Sequence, residues 1–155
     1  MVLLAALVAG CAADPHRVIT PGMTSAEVSA RAGAPTIVGR LSNGEAYWDY
    51  SRQPYYTDRV SYGPDERVRE VRNLLTEENF RALRPGMSAE EVLATLGPSY
   101  IHNSFANGTT AWTYRFQDLG IWKLLHVLFD PGGRLQRYDV EWDPNIYSKK
   151  GGGRR

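Results

Sequence analysis

Two stretches of the chain carry the same alternation of apolar and polar positions. Val28 and Val92 (with Leu96) mark the inward sides of two short amphipathic segments, predicted as helices over 25–32 and 89–96. Thr24-x-x-Glu27 and Ser88-x-x-Glu91 open them as capping boxes, in which hydroxyl and carboxylate each satisfy a free backbone N–H. Gly33 and Gly97 end them, and Pro35 and Pro98 forbid continuation. Beyond each helix the period changes to two. Asn43-Gly44 and Asn107-Gly108 predict tight hairpin turns, followed by strands in which Trp48 and Tyr50, or Trp112, Tyr114 and Phe116, share a face. Further strands are predicted near 58–62, 67–73, 122–129 and 134–142. Thr76-Glu77-Glu78 opens one more helix, carrying Phe80 and Leu83.

These parallels amount to an internal repeat. Pro21-Gly22-Met23-Thr24 recurs 64 residues later as Pro85-Gly86-Met87-Ser88, and the spacing holds without a gap to Tyr50 and Tyr114. It then grows by three, so that Val60, Tyr62, Pro64 and Arg67 correspond to Val127, Phe129, Pro131 and Arg134. The expected fold class is α+β: a tandem duplication of a helix plus a three- or four-stranded antiparallel meander, with the helices on one sheet face. The expected organisation is a signal over 1–10, a linker over 11–17, one unit over 18–74, a second with its leading helix over 75–143, and a disordered basic tail over 144–155.

The N-terminus differs from the rest. Met1 to Gly10 is uncharged, too short for a bilayer span of roughly 20 residues, and suited to the apolar core of a secretion signal. Leu7-Val8-Ala9-Gly10-Cys11 reads as a lipobox, with small residues that fit a narrow protease site and a cysteine thiol to receive a diacylglyceryl group. No Lys or Arg follows Met1, so either the true start lies upstream or the signal is clipped; a plain apolar strand with a chance cysteine is the other reading. Cys11 is the only cysteine, which rules out an intramolecular disulfide. Ala12 in place of Asp fits an outer-membrane address with the chain facing the periplasm. Two or three acyl chains make a stable anchor where one holds reversibly.

Composition changes the picture little. The 155 residues are 43% hydrophobic and 23% charged, as in an ordinary globular protein, and a net charge of +1 gives no ground for nucleic-acid binding. His16, His102 and His126 lack metal-site spacing, so no metal and no cofactor beyond the lipid on Cys11 is expected. No nucleophile elbow or phosphate loop occurs, and neither an enzymatic activity nor a small-molecule substrate is predicted.

The order Gly-Met-[Thr/Ser], Glu-Val, Gly-Pro, Asn-Gly, Trp-x-Tyr and Val-x-[Tyr/Phe], over 18–72 and again over 82–142, resembles the SmpA/OmlA (BamE-like) family of outer-membrane lipoproteins. Its type member carries one such unit and this chain two, an arrangement that also resembles the β-lactamase inhibitor proteins. The resemblance implies a membrane-anchored, protein-binding scaffold whose partners are envelope proteins, including the β-barrel assembly complex. The alternative is an inhibitor or binding module for a periplasmic enzyme. The residues themselves offer one candidate surface. In 121–129, Ile121, Leu125, Val127 and Phe129 fall on the helix side, leaving Trp122, Leu124, His126 and Leu128 on the other. That second apolar side is either covered by the rest of the chain or a partner-binding patch. Tyr47, Tyr55, Tyr56 and Arg115 are added as residue types enriched at interfaces.

Overall fold

A computed structural model of the chain describes residues 14–52, 54 and 56–147. The expectations for 1–10, Cys11, Tyr55 and the tail beyond 147 lie outside these residues. In chain order the elements are α1 (Pro15–Val18), α2 (Ser25–Ala32), β1 (Ile37–Arg40), β2 (Ala46–Arg52), β3 (Tyr56–Tyr62), β4 (Val68–Asn73), α3 (Glu77–Ala82), α4 (Ala89–Leu96), β5 (Ile101–Ser104), β6 (Thr110–Asp118), β7 (Ile121–Phe129), β8 (Leu135–Trp142) and α5 (Pro144–Tyr147). The strands form two four-stranded antiparallel sheets, β1-β2-β3-β4 and β5-β6-β7-β8, each following a helix.

The two halves share a hydrogen-bond scaffold. Both capping boxes form: the backbone N–H of Thr24 donates to Glu27 at 2.8 Å and that of Ser88 to Glu91 at 2.7 Å. These bonds hold both carboxyls below the usual carboxylate range. The helix ends are tied to the sheets in the same way. The Tyr50 hydroxyl donates to the Gly33 carbonyl at 3.2 Å, and the Tyr114 hydroxyl to that of Gly97 at 3.1 Å. Gly22 N–H donates to Val68 and Gly86 N–H to Leu135, both at 2.8 Å. Trp48 meets Tyr62 with ring centroids 5.3 Å apart, and Trp112 meets Phe129 at 4.7 Å. Correspondence at this level is what a duplicated sequence produces when each half solves the same packing problem.

Each unit has its own core. In the first, Val28 and Ala32 of α2 pack on Tyr50, Val60, Tyr62 and Val68. In the second, Val92 and Leu96 of α4, joined by Phe80 and Leu83, pack on Tyr114, Phe116, Leu125, Val127, Phe129 and Leu135. Burial of each large apolar side chain contributes roughly 1.5–3 kcal/mol. It also pushes the Tyr50 hydroxyl up to about 12 and raises that of Tyr114 further.

Three features depart from the expectations. The sequence 144–147 turns as α5, although disorder was expected from 144 onward. Pro15–Val18, partly inside the expected linker, is helical because the Asp14 side chain caps it at His16 N–H and Pro15 presets the first turn. The compact units do not follow the repeat either: one takes in 14–50 and 60–72, the other 51–59 and 73–147. Within that second unit the Thr57 carbonyl accepts from Leu74 N–H at 2.8 Å, and the Arg59 guanidinium donates to the Ala94 carbonyl near the end of α4.

Candidate functional site

The alternation of β7 sets up the candidate face. Leu125, Val127 and Phe129 turn into the core, so Trp122, Leu124, His126 and Leu128 stand on the opposite side, half-buried. Antiparallel register places Leu124 between Arg115 and Glu141, His126 between Thr113 and Asp139, and Leu128 between Ala111 and Arg137. On β5, Ile101 lies opposite Thr113 and is 43% exposed. Leu124 and Leu128 therefore flank His126 along β7, Ile101 lies on the same face beyond Thr113, and charged residues of β8 border them.

His126 sits between the two leucines. Its Nδ1 lies 3.0 Å from the Thr113 hydroxyl and its Nε2 3.0 Å from Glu141, to which it donates. Both ring nitrogens are engaged across neighbouring strands, which fixes the imidazole in the plane of the face. No shared position for a metal arises among the described residues, where no three His, Cys, Asp or Glu side chains converge.

At the Trp122 end the face is closed by the chain itself. Arg115 Nε donates to Asp143 at 2.7 Å, its guanidinium lies 4.4 Å from the centre of the Trp122 ring, and Asp143 N–H donates to the Trp122 carbonyl at 3.0 Å. The Asp143 side chain is 2% exposed and that of Arg115 is 16% exposed. A buried carboxylate of this kind needs its cation. Arg115 thus holds the end of β8 in place and is not a free interface residue, contrary to the expectation. Asp143, which makes the clamp, carried no local signal: its partner is 28 residues away.

The remaining candidates lie on the strands of the first sheet. Tyr47 is buried rather than exposed, its ring so close to Gly39 that a methyl group there would come within 2.5 Å of it. Tyr56 is half-buried, with Arg52 5.9 Å from its ring centre. Leu124, His126 and Leu128 are therefore the predicted residues that share one half-open patch, and Ile101, which the sequence reading missed, lies on the same face beyond Thr113.

The first sheet solves the same face differently. At the positions matching Thr113, Leu124, His126 and Leu128 it carries Asp49, Thr57, Arg59 and Ser61, all buried. Arg59 is 1% exposed. Polar groups are buried where the repeat would leave a sheet face open, while aliphatic groups stay half-open on the second sheet.

The fold and this face define a small α+β domain whose open apolar surface is a strand face. Residues 72–139, which contain α3, α4, β5 to β7 and most of β8, match the family of the outer membrane protein assembly factor BamE domain. No curated protein matches the chain. Among solved structures, a putative osmotically inducible lipoprotein, OsmE, is 20% identical, covering 43% of this chain and 78% of its own at a TM-score of 0.40. A DUF4309 family protein (YjgB) from Bacillus subtilis is 18% identical, covering 77% and 78% at 0.30. An extracellular protein containing an SCP domain from Bacillus anthracis is 13% identical, covering 94% and 51% at 0.33.

Proposed function

We propose that the chain is a lipid-anchored scaffold of the bacterial outer membrane that docks another envelope protein on the open face of its second sheet, in the service of β-barrel assembly. The observation that carries the reading is that Leu124 and Leu128, with Ile101 two strands away, stand on the face turned away from the helices, where an antiparallel sheet ordinarily shows polar side chains. Its charged border on β8 fits the usual anatomy of an interface, an apolar centre within a polar rim. The BamE domain match supports the assembly role, and the lipobox ending at Cys11 supports the anchor. Among the described residues no helix is long and apolar enough to cross a membrane, and in this reading acyl chains supply the attachment.

Affinity isolation from detergent-solubilised membranes tests the partner. The native chain recovers β-barrel assembly subunits, and a Leu124→Asp, Leu128→Asp variant that still folds does not. Equal recovery by both chains, or recovery of no assembly subunit, overturns the reading. Cys11→Ala moves the protein to the soluble fraction; continued membrane attachment refutes the anchor.

A further inference from the structure

The two units differ where the hairpin turn after the first strand meets the turn after the third. In the second unit Pro131 fills that space: a methyl group on Gly108 would lie 3.1 Å from the Pro131 Cβ. In the first unit the matching Gly44 has nothing within 4 Å, and a cavity of about 560 Å³ opens beside it. Trp48 and Tyr62 contribute rings to its wall, and Ser25, Arg40 and Glu66 contribute polar groups.

Four of these polar groups make no hydrogen bond among the described residues: the Ser25 hydroxyl, the Trp48 indole N–H, the Tyr62 hydroxyl and the Glu66 carboxylate. Two of them stand against the stability of the fold. Tyr62 is 4% exposed with an orphaned hydroxyl, where the second unit has Phe129. Glu66 holds a left-handed backbone at φ 59°, where the second unit has Gly133 at 72°. Packing alone would select Phe and Gly, as it does in the other unit. Strain and unpaired polar groups gathered at one cavity mark a place kept for something other than stability.

The lining also indicates what fits. Arg40 and Glu66 balance in charge, and Glu45 is already paired with Arg69, so the cavity favours neither an anion nor a cation. What it offers is aromatic surface, N–H donors on Trp48 and Arg40, the Glu66 carboxylate as an acceptor and the Ser25 hydroxyl, which does both. A sugar ring matches that set, with an apolar C–H face for the rings and hydroxyls around its edge. The volume lies within the 300–1,000 Å³ range usual for ligand pockets. We propose that this cavity of the first unit binds a neutral glycan unit.

The test is a nuclear magnetic resonance titration of the full chain carrying Cys11→Ala. The indole N–H signal of Trp48 is assigned with Trp48→Phe. Tri-N-acetylchitotriose and maltotriose are the probes, and trialanine is the peptide control. At least one oligosaccharide moves the Trp48 signal saturably, with a dissociation constant on the order of 1 mM or tighter. Glu66→Gly weakens that binding by about tenfold or more while raising the melting temperature, which separates loss of ligand from loss of fold. Ser25→Ala, which copies Ala89 of the second unit, is a second variant expected to bind more weakly with its fold intact. Absence of a shift with either sugar, a shift with trialanine alone, or binding unaltered in both variants overturns the proposal.

Discussion

The two sheets were built from one pattern and diverged on the side away from their helices. Cross-strand positions that hold Asp49 and Arg59 in the first sheet hold Thr113 and His126 in the second, and Thr57 and Ser61 correspond to Leu124 and Leu128. The first set is buried throughout, whereas in the second Thr113 is buried and His126, Leu124 and Leu128 are half-open. Helix-side packing therefore sets the fold and stays largely apolar in both units, with Tyr62 for Phe129 as an exception, whereas the other face is free to be specialised. Burial of Arg59 is costly unless its donors are used, and one of them serves the Ala94 carbonyl. Exposure of Leu124 and Leu128 costs less and leaves a surface that a partner can cover.

The comparison is most sharply tested in the cores. Phe129 is sealed, while its counterpart Tyr62 borders the cavity, so Phe129→Ala is expected to cost about 4 kcal/mol in urea unfolding and Tyr62→Ala clearly less. Equal losses would mean that the cavity is closed in solution. The divergent faces come next. Arg59→Ala leaves the Ala94 carbonyl without its donor and is expected to cost about 3 kcal/mol, against about 1 kcal/mol for His126→Ala, whose bonds lie nearer solvent. A smaller effect is expected from the turn residues: Gly133→Glu imposes on the second unit the strain the first already bears, lowering stability by about 1 kcal/mol.

The smallest effect is one the units share. Glu27 and Glu91 have carboxyls held below their ordinary 4.5 in the folded chain. Because the folded values are depressed, the stabilisation is present above 4.5 and is lost as pH falls through the folded values. Glu27→Gln and Glu91→Gln should each flatten the acid limb of the stability curve, and the double variant should flatten it most. An acid limb unchanged by both substitutions would show that the caps do not set it.

What the sequence made legible follows from locality. Capping boxes, helix-ending glycines and Asn-Gly turns act within a few residues, so the helices, hairpins and the repeat could be read directly. Both cores could be read as well, because Trp48, Tyr50, Trp112 and Tyr114 recur at fixed spacing. The site was harder. Asp49 and Arg59 stood out in no local pattern, since polar residues that alternate with core positions are ordinarily solvated; their burial depends on what packs there, which no local pattern encodes. Tyr47 was misjudged on the same face for the same reason. Arg115 looked like an interface residue because the carboxylate that claims it, Asp143, lies beyond the next two strands. The cavity was hidden because it depends on whether Pro131 or Pro64 reaches across a hairpin turn, although Glu66 at a position where the other unit has glycine was a visible clue.

The tyrosine bonds to the helix-ending glycines have a consequence for how such a chain folds. A duplicated sequence risks pairing the strands of one half with the helix of the other, since both offer nearly the same chemistry. Each native bond closes a span of 17 residues. The crossed bond, Tyr114 to Gly33, would close 81. The difference in loop-closure entropy is about 1.4 kcal/mol, roughly a tenfold preference for the near partner before any packing has formed. Because a one-residue slip would turn each tyrosine to the opposite face, the same bond also rejects strands that arrive out of step. The near identity of the halves is made safe by the shortness of the path between each glycine and its own tyrosine.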